Sequence, residues 1–478
     1  MRIIKDKYLL IKLSKGEEQK MLKKFIGNKK FYKNLMIVCL PIVLSQLISQ
    51  FVSLLDNLMV GQLTPAEYNG VAIANQFFFI FSLAIYGALA GPGIFSTQYH
   101  GSKNEDGIKE CVRYKWLISI IILILGLVIF LLFDDQLISL FIKTNEETTI
   151  NPIEITKYGK DYLQIMLIGL VPFVFTEIYC SHLREAKHTV VPMISNITAV
   201  FVNLIFNYIL ILGNFGAPKL GVTGAAIATV ISRFVACAIV VIYAHVNKKY
   251  SFVNAVFKKF FPKKETINYI LKNSYLLLIN EILWSLGMTL LNYCFAQKGP
   301  DVLAAVNILS AFSNLFGLIG TSMGTGIAVL LGQQLGAKKF EEAKADSYRY
   351  IGFAIALGLV VGILMFILRN TVPKLYDFDD SIIHMAENLI AINACMVVVR
   401  VLSITCYFII RSGGKVFITF LFDSVFTIVI RFGVTYIFVL TTDLSIYYIY
   451  LISELLEIIK IIVGSVLVHK GIWLNNLE

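Results

Sequence analysis

The stretch LPIVLSQLISQFVSLLDNLMVG, Leu40 to Gly61, decides the fold class. It is long and apolar enough to cross a membrane, which takes about 20 predominantly apolar residues in a helix. Yet it carries Asp56 and Asn57 deep in its second half. A carboxylate on a spanning helix is costly to bury, so it faces a cavity, a partner group or a hydrated helix end.

Runs of this kind recur along nearly the whole chain. The 478 residues are 57% hydrophobic and 15% charged, with a mean hydropathy of +0.75, whereas soluble domains carry about 25% charged residues. The chain is therefore read as an all-α integral membrane protein in the lipid bilayer, with no room for a sizeable soluble domain. The apolar runs are continuous rather than alternating with period two, which argues against a membrane β-barrel. In a soluble protein the net charge of +11 would suggest nucleic acid. Here Lys and Arg gather in short loops and the N-terminal tail, so they mark a cytosolic membrane face, and no nucleic-acid partner is expected. None of the seven cysteines forms a CxxC pair, so no disulfide framework or metal site is indicated.

Twelve spans are expected, at 34–60, 68–96, 114–133, 158–180, 189–212, 221–245, 269–297, 302–331, 347–369, 384–410, 416–440 and 445–468. Basic loops such as Lys103 to Lys115, Arg184 to Lys187 and Lys248 to Lys264 alternate with acidic ones such as Asp134 to Glu147 and Asp377 to Asp380. That alternation places both termini in the cytosol of a cell-membrane protein. The expected organisation is a basic tail over 1–33, an N-lobe over 34–246, a basic cytosolic linker over 247–268, a C-lobe over 269–470 and a tail over 471–478.

The six-plus-six division invites a comparison of the halves. TQYHGSK (97–103) aligns with GQQLGAK (332–338) at an offset of 235 residues, which also places Pro65 on Pro300, Asn57 on Asn292 and Gly91 on Gly326. HLREAKH (182–188) aligns with IIRSGGK (409–415), placing Arg184 on Arg411. An even number of spans per copy makes the lobes parallel, related by a pseudo-two-fold axis along the membrane normal. Transporters built this way hold their site between the halves and alternate access by rocking them.

No nucleotide-binding P-loop, GxSxG or HExxH motif is present. The candidate chemistry lies in polar residues inside apolar runs. Asp56 is read as a carboxylate that exchanges a proton or Na⁺ as the lobes move; the plainer alternative is hydration near its helix end, since Gly61 and Pro65 follow closely. Glu281 in LLLINEILWSLGM stands at the repeat position of Gln46, and Trp284 lies on its helix face, suited to stacking on an organic cation. A plainer alternative for Glu281 is a polar cluster with Asn280. Asn196, Asn203 and Asn207 fall near one face of the fifth span, as a cavity wall or as helix–helix hydrogen bonds. Asp423 and Arg431 stand in the corresponding span of the second half, two turns apart and too far for a direct bond. Glu457 and Lys460 are spaced to pair along one helix face, while the sequence leaves the partners of Arg233 and Arg400 open.

Taken together, LPIVLSQLISQFVSLLDNLMVG, GVTGAAIATVISR (221–233), NEILWSLG (280–287), GQQLGAKKFEEAK (332–344) and RSGG (411–414), in this order and spacing, resemble the multidrug and toxic compound extrusion (MATE) family. The resemblance covers nearly all of Lys33 to Lys470. It implies two six-helix lobes around a central cavity, and efflux of cationic or amphipathic organic compounds in exchange for H⁺ or Na⁺, with no cofactor. It implies cation-coupling roles for Asp56, for Asn203 and Asn207 in the fifth helix, for Thr229 in the sixth and for Glu281 in the seventh. Relatives often carry Asp where this chain has Asn207, and Asp where it has Lys415, which moves the expected C-lobe acids to Glu281 and Asp423. Any Na⁺ is then expected at Asp56 or Glu281, with Gln46, Asn57, Asn196 and Trp284 lining the substrate cavity of a monomer. The alternatives are a lipid-linked oligosaccharide flippase of the same superfamily and, from another class, a membrane-embedded enzyme.

Overall fold

In a computed structural model the described residues are 23–139, 151–247, 250, 253–376 and 378–477, with the side chains at 53, 54, 57, 58 and 255 outside the described set. The described residues are helical, with no strand among them. Twelve long helices carry the twelve expected spans: α1 (Lys29–Val60), α2 (Pro65–Ser102), α3 (Glu105–Leu132), α4 (Pro152–Glu185), α5 (Val190–Leu210), α6 (Gly221–Val246), α7 (Lys264–Ala296), α8 (Pro300–Gly336), α9 (Phe340–Leu368), α10 (Asp380–Ser412), α11 (Val416–Thr441) and α12 (Ile446–Lys470). Eleven of them are long and apolar enough to cross a membrane. The twelfth, α12, carries Glu454, Glu457 and Lys460 in its middle turns.

Local chemistry sets where these helices start. Thr64 caps α2: its hydroxyl accepts from the Glu67 N–H, while the Glu67 carboxylate accepts from the Thr64 N–H at 2.9 Å, and Pro65 fills the first helical position. Asn104 caps α3 through the Gly107 N–H at 2.9 Å, and Asn151 caps α4 through the Ile153 N–H at 3.0 Å. Several helices outrun the expected spans: α2 reaches Ser102 and α4 reaches Glu185. Lys115, read from sequence among the loop bases, is inside α3 and fully buried, and His182 is buried in α4.

The chain forms two compact units, one of residues Pro41–Ile282 and the other of the residues before and after that stretch. In the first, α4 packs against α2, α3 and α6. Leu163, Met166, Leu170, Val174 and Ile178 of α4 are buried in one apolar core with Phe77, Phe78, Phe81 and Ile85 of α2. Gly70 brings the α2 and α4 backbones together, since a Cβ there would lie 2.6 Å from the Gly159 nitrogen. In the second unit α10 takes the place of α4, packed against α8, α9 and α12 around Leu309, Met365, Ala386, Leu389 and Ile390. Outward faces such as Ile124, Leu125, Val128 and Leu132 of α3 remain exposed apolar surface, which suits lipid rather than water.

The duplication is visible helix by helix. Lys29 and Lys264 start α1 and α7, Pro65 and Pro300 start α2 and α8, and Glu105 and Phe340 start α3 and α9, each pair separated by the 235 residues of the sequence offset. The copies part at α11. Its residues Leu421–Phe432 form a π-helix between two α-helical turns, whereas α5 is regular. Widened turns of this kind concentrate at functional sites.

Candidate functional site

Each unit buries one polar cluster where its fifth and sixth long helices meet. In the first, Asn207 of α5 is completely buried, and its amide donates to the Asp56 carboxylate of α1 and to the Asn203 side-chain oxygen at 3.1 Å. The Asn203 amide in turn donates to the Thr229 hydroxyl of α6 at 3.1 Å, and that hydroxyl donates to the Ala225 carbonyl at 3.0 Å. Asn203 and Asn207 meet because an i, i+4 spacing stacks side chains on one helix face. Asp56, Asn207, Asn203 and Thr229 therefore form one connected chain of polar atoms. Tyr162 of α4 reaches across to α2, donating to the Asn75 side-chain oxygen at 3.3 Å. Among the described residues Asp56 enters no ion pair, so its only recorded support is an amide that stabilises charge without cancelling it.

The second cluster is built from ions. Arg431 of the π-helical segment meets both Glu454 and Glu457 of α12, the latter at 3.3 Å. Glu454 also takes Arg400 of α10 at 2.7 Å. Lys460 bridges Asp423 at 3.1 Å and Glu457 at 3.8 Å, and its ammonium stands 5.4 Å from the centre of the Phe422 ring. Three bases match three acids, and this network is electrically closed. Counted from the starts of α6 and α12, Thr229 and Glu454 are both the ninth residue, so the two clusters occupy corresponding places in the two copies.

The remaining residues singled out from sequence fall as follows. Asn196 is apart from the Asp56 chain and donates to Ser45 and Ser49 of α1 at 2.9 and 2.8 Å. Gln46 is exposed, Glu281 is half-buried beside the buried Asn280, and Trp284 is 41% exposed. Asn57 lies outside the residues whose side chains are described. Asp423 accepts from the Lys460 ammonium at 3.1 Å. Asp423 and Arg431, spaced too far for a direct bond, are instead tied into one network through α12. Sequence reasoning missed Ser45, Ser49, Asn75 and Tyr162, because a serine or a tyrosine in an apolar run carries no spacing signal. It also missed the buried Lys115–Glu185 pair joined by Ser181, whose ends are 70 residues apart.

Known proteins bear on this geometry. The MatE family profile matches residues 41–209 and 277–437, the greater part of both copies. The chain is 25% identical over 366 residues to "Probable multidrug resistance protein NorM" of Bacillus anthracis, a match covering 75% of this chain and 77% of that protein. It is 26% identical over 373 residues to the protein of the same name from Pasteurella multocida, covering 76% of each chain. Among solved structures, the fold matches "Crystal structure of MATE in complex with MaL6" with a TM-score of 0.82 at 18% identity, over 94% of this chain and 97% of the other. With an all-helical membrane fold duplicated in two units, and a family match running through both, the chain belongs to the MatE family of multidrug and toxic compound extrusion transporters.

Proposed function

We propose that this multidrug efflux transporter couples export of cationic or amphipathic organic compounds to inward movement of H⁺ or Na⁺ at Asp56. The observation that carries the reading is the contrast between the two clusters. Asp56 is a carboxylate held by the Asn207 amide with no cation paired to it among the described residues, whereas each acid of the second cluster has a base beside it. A carboxylate whose charge is not already cancelled gains most from a proton or Na⁺. Asn203 and Thr229 supply neutral oxygens suited to complete the shell of a small hard cation.

Asp423 is assigned to the contact between α11 and α12, because Lys460 already matches its charge. Glu281 remains the acid of α7 proposed for a second cation, and Gln46, Asn57, Asn196 and Trp284 are proposed to face the substrate. Coupling requires that cation and drug favour different conformations, since a ligand shifts an equilibrium only by its difference in affinity for the two states. The protein is proposed to work as a monomer in the cell membrane with both termini cytosolic, in keeping with the basic loops that alternate along the chain.

The test is ethidium movement into inverted vesicles under H⁺ and Na⁺ gradients imposed separately. Asp56→Asn should insert and fold normally yet lose gradient-driven transport. Full transport by that variant overturns the assignment, and the gradient that drives the unaltered protein identifies the ion.

A further inference from the structure

The linker between α6 and α7 is gripped by its backbone rather than left as a loose tether. Arg113 of α3 donates from Nε to the Lys259 carbonyl at 2.8 Å, and Glu110 of the same helix accepts from the Lys263 N–H at 2.7 Å. The two grips are joined, because Arg113 Nη1 meets the Glu110 carboxylate at 2.5 Å. Between them the chain turns through Phe260, Phe261 and the buried Pro262. Behind this turn Tyr250, Val253 and Val256 are buried in the apolar core of the first unit, with Phe260 packed against it.

A segment held in this way presents a fixed outer face, and that face is both apolar and basic. Phe257 is 69% exposed and Phe261 64% exposed. Lys258, Lys259, Lys263 and Lys264 are exposed around them, against one acid, Glu265, in residues 257–265. The chain after α12, the same place in the other copy, is built differently. Residues 471–478 contain no lysine, and their one aromatic residue, Trp473, is completely buried. The basic aromatic face therefore belongs to this linker and is not a by-product of the duplicated fold.

Its neighbours indicate what covers it. The Phe257 ring lies 5.7 Å from the His245 ring in the last turn of α6. Val246 beside it and Ile242 one turn back are both exposed. The apolar outer surface of a spanning helix thus runs on to the linker. Phenylalanines held outward gain nothing from water, and an apolar partner alone would not call for four lysines. Aromatic rings at headgroup depth, flanked by lysines that meet anionic lipid, are the marks of a segment lying on a membrane surface.

We propose that residues 253–264 form a docking surface for anionic phospholipid headgroups. Phe257 and Phe261 sit at the acyl boundary, and Lys258, Lys259, Lys263 and Lys264 meet the phosphates. Through Glu110 and Arg113, lipid bound there braces the first turns of α3 and the start of α7.

The test uses the full-length protein carrying Phe261→Trp, in vesicles of equal parts phosphatidylcholine and phosphatidylglycerol. The acyl chains of one lipid or of the other are brominated, and the emission of the protein without the substitution is subtracted. Bromine quenches an indole only at close range, so docking on anionic lipid should make quenching by brominated phosphatidylglycerol stronger by about twofold or more. That excess should vanish at about 1 M salt, where the screening length is about 3 Å. It should also vanish when Lys258→Gln, Lys259→Gln, Lys263→Gln and Lys264→Gln are combined, with ethidium binding unchanged. If the combined variant does not yield a monodisperse protein, the salt series carries the test. Phe257→Trp serves as a second reporter. Equal quenching by the two lipids overturns the proposal, as does an excess that survives both salt and loss of the lysines. Quenching by neither lipid overturns it too, and leaves the face to a soluble partner or to water.

Discussion

Lys103 and Lys338 adopt the same left-handed backbone conformation, with φ of 61° and 59°. They stand 235 residues apart, at the ends of α2 and α8, and the following N–H of each closes back on its helix: Asn104 on the Tyr99 carbonyl at 3.0 Å and Lys339 on the Gln334 carbonyl at 2.9 Å. This is the six-residue closure that most often uses glycine. A second pair, Lys187 with φ 62° and Gly414 with φ 72°, repeats the left-handed conformation after α4 and α10. The conformation is thus a property of the duplicated fold, which imposes it on lysine in three of the four places.

A left-handed lysine is strained by about 1 kcal/mol or slightly more relative to glycine. Lys103→Gly and Lys338→Gly should therefore each stabilise the protein by roughly 1 kcal/mol, less the entropy that glycine adds to the unfolded chain. Lys338→Val should do the opposite by at least as much. Melting curves of the detergent-purified variants read both signs, and a stabilising valine would contradict the backbone assignment.

Asn207→Leu should separate the chemistry of the coupling site from its packing. The substitution keeps the branched outline of a completely buried side chain, with bulkier methyl ends, yet removes the donor that Asp56 accepts from and the link to Asn203. A hydrogen bond to a charged acceptor contributes about 1.5–3 kcal/mol. Because that bond favours the charged carboxylate, proton uptake at Asp56 is expected to strengthen by about tenfold or more on that scale, while drug binding in the absence of a gradient changes little. Equilibrium binding of ²²Na⁺ or proton uptake, measured beside ethidium binding, distinguishes the two.

The ion network of the second unit should behave in the contrary way. Glu454 holds both Arg400 and Arg431 and is 1% exposed, so Glu454→Gln leaves two guanidinium groups without their shared acid. Removing one partner of a buried ionic group costs about 3–5 kcal/mol. Asp423→Asn should cost much less, because Asp423 is partly exposed and Lys460 keeps Glu457 at 3.8 Å. The order of unfolding temperatures checks this: Glu454→Gln lowest, Asp423→Asn close to the unaltered protein. If Asp423→Asn instead unfolds as easily as Glu454→Gln, the charges are not shared as the distances imply.

Much of this was legible from residue order alone. The twelve spans followed from unbroken apolar runs, and the offset that aligned TQYHGSK with GQQLGAK is the offset at which the helices start. Asn203 and Asn207 could be paired because their spacing fixes one helix face, and Glu457 with Lys460 for the same reason. Partners on different helices could not. Arg400 had Glu454 available 54 residues away, Arg233 met two phenylalanine rings, and nothing in the intervening residues states either choice. The π-helical turns of α11 were equally hidden, since no residue spacing in Leu421–Phe432 marks a widened turn. Lys115 misled for a related reason: a base near an expected loop is ordinarily solvated, and only the fold shows Glu185 meeting it.

The last turn of the chain makes a final prediction. Trp473 lies beyond α12 and is completely buried, its indole N–H donating to the Val468 carbonyl at 3.2 Å. Its backbone passes so close to Gly413 that a Cβ there would stand 1.8 Å from the Trp473 carbonyl oxygen. Three residues on, the Asn476 amide donates to the Leu335 and Gly336 carbonyls at 3.2 and 3.4 Å, satisfying helix-end acceptors of α8. The tail therefore ties the ends of α8, α10 and α12 together. Trp473→Ala should destabilise the protein by about 3–5 kcal/mol, the range for emptying a large aromatic site. Asn476→Ala should cost about 1 kcal/mol through the lost cap. Hydrogen exchange gives the decisive reading: in both variants protection should fall at residues 332–338 and 410–416 while α2 to α4 stay protected. An equal loss of protection in α2 to α4 would show that the tail acts on the whole molecule rather than on these three helix ends.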